Sequence, residues 1–273
     1  MIMLSNQKKI HRAVIVFTIL LTIVGSPLFS TTTSGNVKLI GSDIPEIKVE
    51  AGYNVSIPML AGDSMLTENN NLKVKSLIGV SPVAATLSVD AILTPIAVME
   101  VSLGGSVGTG WDFPAMNLEG LLLNSTSDSL GGAYLKGKAG AALQFDTGAI
   151  WEGDWSSIQM RVYQELNYQA YTNASSADVW EYELAGDMVN GFNYKGEYVL
   201  GYNMPLTVNF VALMLEHYVD NVLSTGTTSP RFVLGFITNV DLPADLNLTI
   251  IPQININGGV TWKRVVGMLN YSF

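Results

Sequence analysis

The chain has 273 residues, no cysteine and a formal net charge of −9 at pH 7; 48% of its residues are hydrophobic and only 14% are charged. The lack of cysteine excludes a disulfide scaffold, a thiolate metal site and a cysteine nucleophile. Nucleic-acid binding needs a basic face, so the acidic charge predicts no nucleic-acid partner.

Residues 1–30 have the layout of a secretory signal peptide. Lys8, Lys9 and Arg12 precede an apolar run over residues 13–25, and small residues follow it. The run is shorter than the roughly 20 apolar residues of a spanning helix, which favours a cleaved signal over a membrane anchor. Cleavage would remove three of the 14 basic and none of the 23 acidic residues, so the net charge becomes −12.

From residue 45 onward, apolar and polar residues alternate with a period of two, the period of a β-strand with one apolar face. Residues 31–44 show no such pattern and are predicted to form a short leader, so that the strand-rich domain covers residues 45–273. The predicted strands cover residues 47–57, 84–93, 97–107, 135–145, 157–171, 192–204, 207–219, 231–240, 246–256 and 262–273.

The predicted connections alternate between short turns, near residues 95, 150, 205 and 243, and longer loops, near 65, 120, 180 and 225. Transmembrane barrels show this asymmetry, with short periplasmic turns and long external loops. A soluble lipocalin-like barrel or a β-sandwich would show the same strand period. Lipid contact is favoured by small residues on the apolar faces and by aromatic residues near the strand ends, namely Tyr53, Phe145, Tyr168, Phe192, Tyr194, Tyr202 and Phe273.

The last twelve residues, WKRVVGMLNYSF, form a strand pattern that places Leu269, Tyr271 and Phe273 on one face. This ending resembles the final strand of bacterial outer-membrane β-barrel proteins. The resemblance implies an all-β fold, a closed antiparallel up-and-down transmembrane β-barrel in contact with outer-membrane lipid. The strand count is about ten, with eight or twelve as alternatives. The resemblance also implies that Leu269, Tyr271 and Phe273 are an assembly signal for the barrel-assembly machinery. Residues 94–111 look similar to uncharacterised spirochaetal-type barrels, which adds no function.

The polar strand faces carry equal numbers of basic and acidic residues. A narrow lumen must neutralise its charges locally, so we predict a lumen charge network. Hairpin geometry about Pro205 predicts Lys195 opposite Glu216. Folding about residues 147–155 predicts Lys138 opposite Glu165. The members are Lys48, Glu50, Asp90, Glu100, Lys136, Lys138, Arg161, Glu165, Lys195, Glu197, Glu216 and Arg264.

Three functions fit this interpretation. The first is a structural or narrow-channel, porin-like barrel that admits small solutes. The second is adhesin-like binding of surface ligands by the loops at residues 111–132 and 172–190. A hydrolase is the third, but Glu216 and His217 are neighbours in a strand and point to opposite faces. Asp90 and Glu100, predicted across the turn near residue 95, fit an ion network better than acid/base chemistry. We therefore expect no enzymatic activity, no cofactor and no metal site.

Overall fold

The computed structural model describes residues 31–43, 46–113, 118–123, 132–175, 178–183, 188–223 and 229–273. Within these residues, twelve antiparallel strands close into one barrel, and each strand pairs with its neighbours in the chain. This confirms the all-β, closed antiparallel architecture, at the highest of the three strand numbers considered. The strands are β1 Thr32–Ser42, β2 Glu46–Pro58, β3 Asn71–Val80, β4 Ala84–Ile96, β5 Met99–Gly110, β6 Tyr134–Asp146, β7 Ile158–Tyr171, β8 Gly191–Asn203, β9 Val208–Val219, β10 Arg231–Leu242, β11 Leu246–Asn255 and β12 Thr261–Ser272.

The N-terminal segment differs from its prediction. The predicted signal peptide, residues 1–30, lies outside the described residues. Residues 31–44 were expected to be a leader, but Thr32–Ser42 form β1, which pairs with both β2 and β12. The sequence pattern is weak there because only Val37 and Leu39, among the outward positions of β1, are large and apolar. No helix among the described residues is long and apolar enough to cross a membrane.

The second strand absent from the sequence prediction is β3. The sequence predicts a loop near residue 65 and no strand between residues 57 and 84, because Pro82 lies in this stretch and proline is avoided inside paired strands. In the structure Pro82 lies in the three-residue connection between β3 and β4. Ser81 N donates to Ala84 O across this connection at 2.9 Å. Pro82 therefore lies in the turn of the hairpin and interrupts neither β3 nor β4.

The additional strands change which connections share an end of the barrel. Both ends of the described chain, at β1 and Phe273, lie at one end, which we call the terminus end; the other is the loop end. The connection at residues 59–70 lies at the terminus end together with the turns near 97, 150, 205 and 244. Its predicted grouping with the long loops was wrong because β3 had been missed. The long connections at residues 111–133 and 172–190 lie at the loop end.

Apolar side chains cover the outside of the barrel. Ile47, Leu103 and Leu143 are 63%, 64% and 59% exposed, whereas charged residues alternate with them on the inner face. A soluble barrel would bury its apolar face, so this arrangement excludes the soluble alternative and confirms an integral outer-membrane barrel. Aromatic rings border the apolar surface, as at the loop end, where Tyr168 and Phe192 meet edge to face at 5.1 Å.

The last strand closes the barrel against the first. Phe273 N donates to Gly35 O at 2.9 Å, and Gly35 N donates to Phe273 O at 2.8 Å. Leu269, Tyr271 and Phe273 share the outward face of this seam, with Phe273 70% exposed and Tyr271 45% exposed. Recognition of these residues by the assembly machinery stays a prediction.

Candidate functional site

The lumen holds all the positive charge of the barrel. Eleven lysines and arginines occur in residues 31–273, and the strand registers turn them to the interior. Acidic residues face them there, while others, such as Asp63, Glu152 and Asp245, lie in connections. The twelve predicted network residues all lie on the lumen face: Lys48, Glu50, Asp90, Glu100, Lys136, Lys138, Arg161, Glu165, Lys195, Glu197, Glu216 and Arg264.

One ion-pair group spans β7, β8 and β9. Lys195 Nζ lies 3.0 Å from Glu216 and 3.2 Å from Glu197, and Arg161 lies 2.9 Å from Glu197. The predicted alignment of Lys195 with Glu216 was wrong by two residues. Lys195 is aligned with Tyr218, and Glu197 with Glu216, because Met204 N donates to Asn209 O and the turn therefore takes residues 205–208 rather than Pro205-Leu206 alone. An even shift leaves every side chain on its predicted face, so the ion pair forms diagonally.

A second group joins β4, β6 and β7. Lys136 Nζ lies 2.8 Å from Glu165, and Lys138 Nζ lies 2.9 Å from Asp90. The predicted alignment of Lys138 with Glu165 was also wrong by two residues, since Lys138 is aligned with Asn167. Asn167 Nδ2 donates to Glu165 at 3.0 Å. The Glu165 carboxylate, although buried, therefore has both a cation and a neutral donor.

The structure does not bring Asp90 and Glu100 together. Asp90 is aligned with Gly104, and Glu100 with Ala142, because the turn between β4 and β5 lies at residues 97–98 and β4 is irregular between Leu93 and Ile96.

Arg264 is connected to the ion pairs through a glutamine. Its Nε donates to Gln253 at 3.0 Å, and Gln253 Nε2 donates to Glu216 at 3.3 Å. Gln253 thereby links Arg264 to the Lys195 group.

Five basic residues of the lumen were not predicted, namely Lys38, Lys73, Lys75, Arg231 and Lys263, so the predicted balance of six bases and six acids was incomplete. Lys38 and the pair on β3 lie on the two strands that the prediction missed. Lys263 was missed for another reason. A β-bulge places Arg264 opposite Gln253 and Trp262 opposite Ile254, and Lys263 then lines the same lumen cavity as Arg264. Strict alternation assigns consecutive residues to opposite faces, and a bulge breaks this rule.

A loop folds into the lumen at the loop end. Residues 178–183 and 188–190, which we call the inward loop, carry the short strands Val179–Tyr182 and Met188–Val189, and Leu121–Leu123 pairs with the first of them. Glu183, the last residue of the described segment 178–183, forms an ion pair with Lys48 at 2.9 Å and is only 10% exposed. Lys48 is also 3.5 Å from Glu50. The ion pair between Glu183 and Lys48 thus attaches the inward loop to β2.

Aromatic side chains hold the inward loop against β4 to β7. Trp180 is 0% exposed and packs between Tyr134 and Tyr171, with ring centroids 5.7 and 6.0 Å away. Tyr182 stacks on Tyr134 at 4.7 Å and donates its hydroxyl to Ala85 O at 2.8 Å. Burial raises the pKa of Tyr182 to about 12, so this hydroxyl keeps its proton at neutral pH. This cluster was not predicted because its residues lie far apart in the chain.

Open space remains beside the inward loop and at the opposite end. A cavity of ≈ 470 Å³ lies between Met188 of the inward loop and the inner wall of β7 to β12. A polar cavity of ≈ 380 Å³ at the terminus end is lined by Asn36, Asn54 and Asn270. A third, of ≈ 680 Å³, has Leu66 in its lining. The side chains of the described residues leave these three cavities open.

The candidate hydrolase residues lie apart, as their neighbouring positions predicted. Glu216 faces the lumen, whereas the His217 ring stacks on Phe232 at 4.7 Å on the outer face. Within the part of the chain that the structure describes, no group of three or more His, Asp or Glu residues is placed to hold a metal ion.

No family model and no curated protein matches the chain. Among solved structures, it is similar to the translocator domain of the autotransporter NalP from Neisseria meningitidis, with 11% identity, a TM-score of 0.37 and coverage of 98% of this chain and 97% of that one. It is also similar to OpdQ of Pseudomonas aeruginosa, with 7% identity, a TM-score of 0.32 and coverage of 89% and 99%. A third similar structure is the outer membrane protein OpdK of the same organism. Its identity is 11%, its TM-score is 0.30, and the match covers 89% of this chain and 98% of that one.

Proposed function

We propose that this outer-membrane barrel is a narrow channel for small polar solutes, restricted at its loop end by the inward loop. The supporting observation is the divided lumen: the inward loop covers the side of β2 to β7, and the ≈ 470 Å³ cavity occupies the other side. Barrels of about eight strands are filled by their own side chains, whereas those of about 16 hold a water-filled channel. A barrel of twelve strands lies between these sizes, and the inward loop occupies part of its lumen, so a narrow channel is consistent with both features.

The adhesin-like alternative has less support. It requires the loops at residues 111–132 and 172–190 to present binding residues outside the barrel. Trp180 and Tyr182, the bulky aromatic residues of the second loop, are instead buried in the lumen. The exposed Trp151 and Trp155, at 60% and 54%, lie at the terminus end, away from those loops. Membrane-interface anchoring accounts for them better than ligand binding.

The proposal includes no catalytic activity, since the only histidine outside residues 1–30 is His217, which stacks on Phe232 on the outer face. Its test is single-channel recording in planar bilayers with refolded residues 31–273. We expect discrete, small conductance steps. Heat-unfolded protein, added at the same concentration, is the control. A folded barrel that inserts and leaves the bilayer sealed would contradict the channel and favour a structural role.

A further inference from the structure

Three cations surround one aromatic ring in the loop-end cavity. Lys195 Nζ, Arg231 Cζ and Lys263 Nζ each lie 5.8 Å from the centroid of the Tyr218 ring. They come from three strands, β8, β10 and β12, and all of them line the ≈ 470 Å³ cavity. The bulge in β12 is what brings Lys263 into this group. The Tyr218 face attracts cations and holds the three side chains around one point.

The surface presented to the cavity is strongly positive. Five basic residues line it, and Asp220 is its single acidic lining residue. Arg231 pairs with Asp220 at 2.8 Å. Lys195 pairs with Glu216, which is 6% exposed and is not among the residues that line the cavity. Asp220 therefore offsets one of the five positive charges at the cavity surface, and Glu216 offsets the charge of Lys195 without lining the cavity.

Lys263 is the cation without a carboxylate partner. No described acidic residue lies within ion-pair distance of its Nζ, in contrast to Lys195 and Arg231. A partly buried ammonium needs a counter-charge or a hydrogen-bond acceptor to offset its lost hydration. The cavity also contains neutral hydrogen-bonding side chains, among them Asn255 and Asn257. A small anion beside Lys263 would supply the missing charge.

We propose that this cavity binds a small doubly charged oxyanion, such as a phosphate dianion, between Lys263, Arg231 and Lys195. Arginine and lysine both form charge-assisted hydrogen bonds to oxyanions, and the planar guanidinium can bind two oxygens at once. A cation would meet like charge here, and a neutral solute would leave Lys263 uncompensated. The placing of this site on a solute path rests on the proposed channel. Anion binding itself can be measured on a barrel that does not conduct.

The test is isothermal titration of the refolded barrel in non-ionic detergent with inorganic phosphate at pH 8 and low salt. We expect saturable binding that weakens about tenfold or more in Lys263→Gln, because a charged hydrogen-bond donor is lost. Lys73→Gln is the matched control: Lys73 also faces the lumen without an ion-pair partner among the described residues, but it does not line this cavity. Its affinity should equal that of the wild type.

Arg231→Gln provides a second variant in case Lys263→Gln fails to fold, and mobility on unheated gels reports folding for each. A titration with succinate distinguishes a phosphate site from a dicarboxylate site, both within the proposed chemistry. Absence of saturable binding of either dianion, or an equal loss in Lys73→Gln, would overturn the site. Binding without single-channel conductance would retain the site and refute the channel, and conductance without binding would do the reverse.

Discussion

Glu183 and Lys48 form an ion pair of 2.9 Å inside the lumen, although 135 positions separate them in the sequence. Their side chains are 10% and 12% exposed. Lys48 belongs to the barrel wall and Glu183 to the inward loop, so this contact attaches the loop to β2 in addition to the aromatic packing of Trp180. Lys48 keeps a second partner in Glu50 at 3.5 Å, and release of Glu183 therefore leaves no isolated buried cation.

Glu183→Gln should favour the released position of the inward loop. Loss of the charge-assisted contact should cost on the order of 1–2 kcal/mol, since a hydrogen bond to a charged group is worth about that much. We expect a higher mean conductance in planar bilayers. Glu181→Gln, in the same loop but without an ion pair among the described residues, should conduct like the wild type. Equal conductance of Glu183→Gln and wild type would show that the pair does not hold the loop.

Trp180→Ala should loosen the inward loop without unfolding the barrel. Truncation of a buried tryptophan typically costs about 3–5 kcal/mol, and here the loss falls mainly on the packing between the loop and β6 and β7. Limited proteolysis should cut the connection at residues 172–190 faster in the variant. Trp155→Ala removes a tryptophan that is 54% exposed at the terminus end and should leave cleavage unchanged. Unaltered cleavage in Trp180→Ala would contradict the loop's docking through this residue.

Lys195→Glu should destabilise the barrel more than Glu216→Gln does. Glu197 and Glu216 are aligned across β8 and β9 with Lys195 between them, so the reversal brings three carboxylates together. Breaking a buried ion pair costs about 3–5 kcal/mol, and like charges across a ladder add to this. The temperature at which the folded band disappears from semi-native gels measures the effect.

The double variant Lys195→Glu with Glu216→Lys tests the geometry of the same group. A lysine at position 216 would face Glu197 directly and lie diagonal to position 195, so much of the lost heat resistance should return. If the double variant is no more stable than Lys195→Glu alone, the charges of β8 and β9 are not arranged as described.

Deletion of Phe273 should reduce barrel assembly without affecting export. It removes the two backbone hydrogen bonds with Gly35 and the exposed terminal ring. Phe273→Ala retains the hydrogen bonds and removes the ring, so the two variants separate seam closure from recognition of the aromatic side chain. An assembly signal predicts low folded yield in cells for both. Normal yield from Phe273→Ala would restrict the role of Phe273 to its backbone.

The sequence predicted the fold class and the lumen faces well because both depend on local alternation. A period of two places each side chain inside or outside whatever its partner is, so Lys195 and Glu216 were assigned to the lumen despite a register wrong by two residues. Register depends on the length and position of the turn, and this turn takes residues 205–208 rather than Pro205-Leu206 alone. Strand β1 was missed because Thr33, Gly35 and Gly41 interrupt its outward face.

The inward loop and the oxyanion cavity could not be predicted from local patterns. Trp180 and Tyr182 carry no periodic signal, and their packing depends on Tyr134 and Tyr171, which lie near them only once the barrel has closed. Lys263 is inward because of a bulge, and a bulge is a property of the paired strands rather than of one segment. Long-range contacts therefore account for what the alternation missed.

The central claim, that the inward loop restricts a channel, is tested most directly by locking the loop in place. The chain has no cysteine, so Lys48→Cys combined with Glu183→Cys can be joined selectively by a short bismaleimide. Loss of the ion pair should first raise the single-channel conductance, and the cross-link should then bring it to the wild-type value or below. Conductance that the cross-link leaves unchanged would contradict the claim.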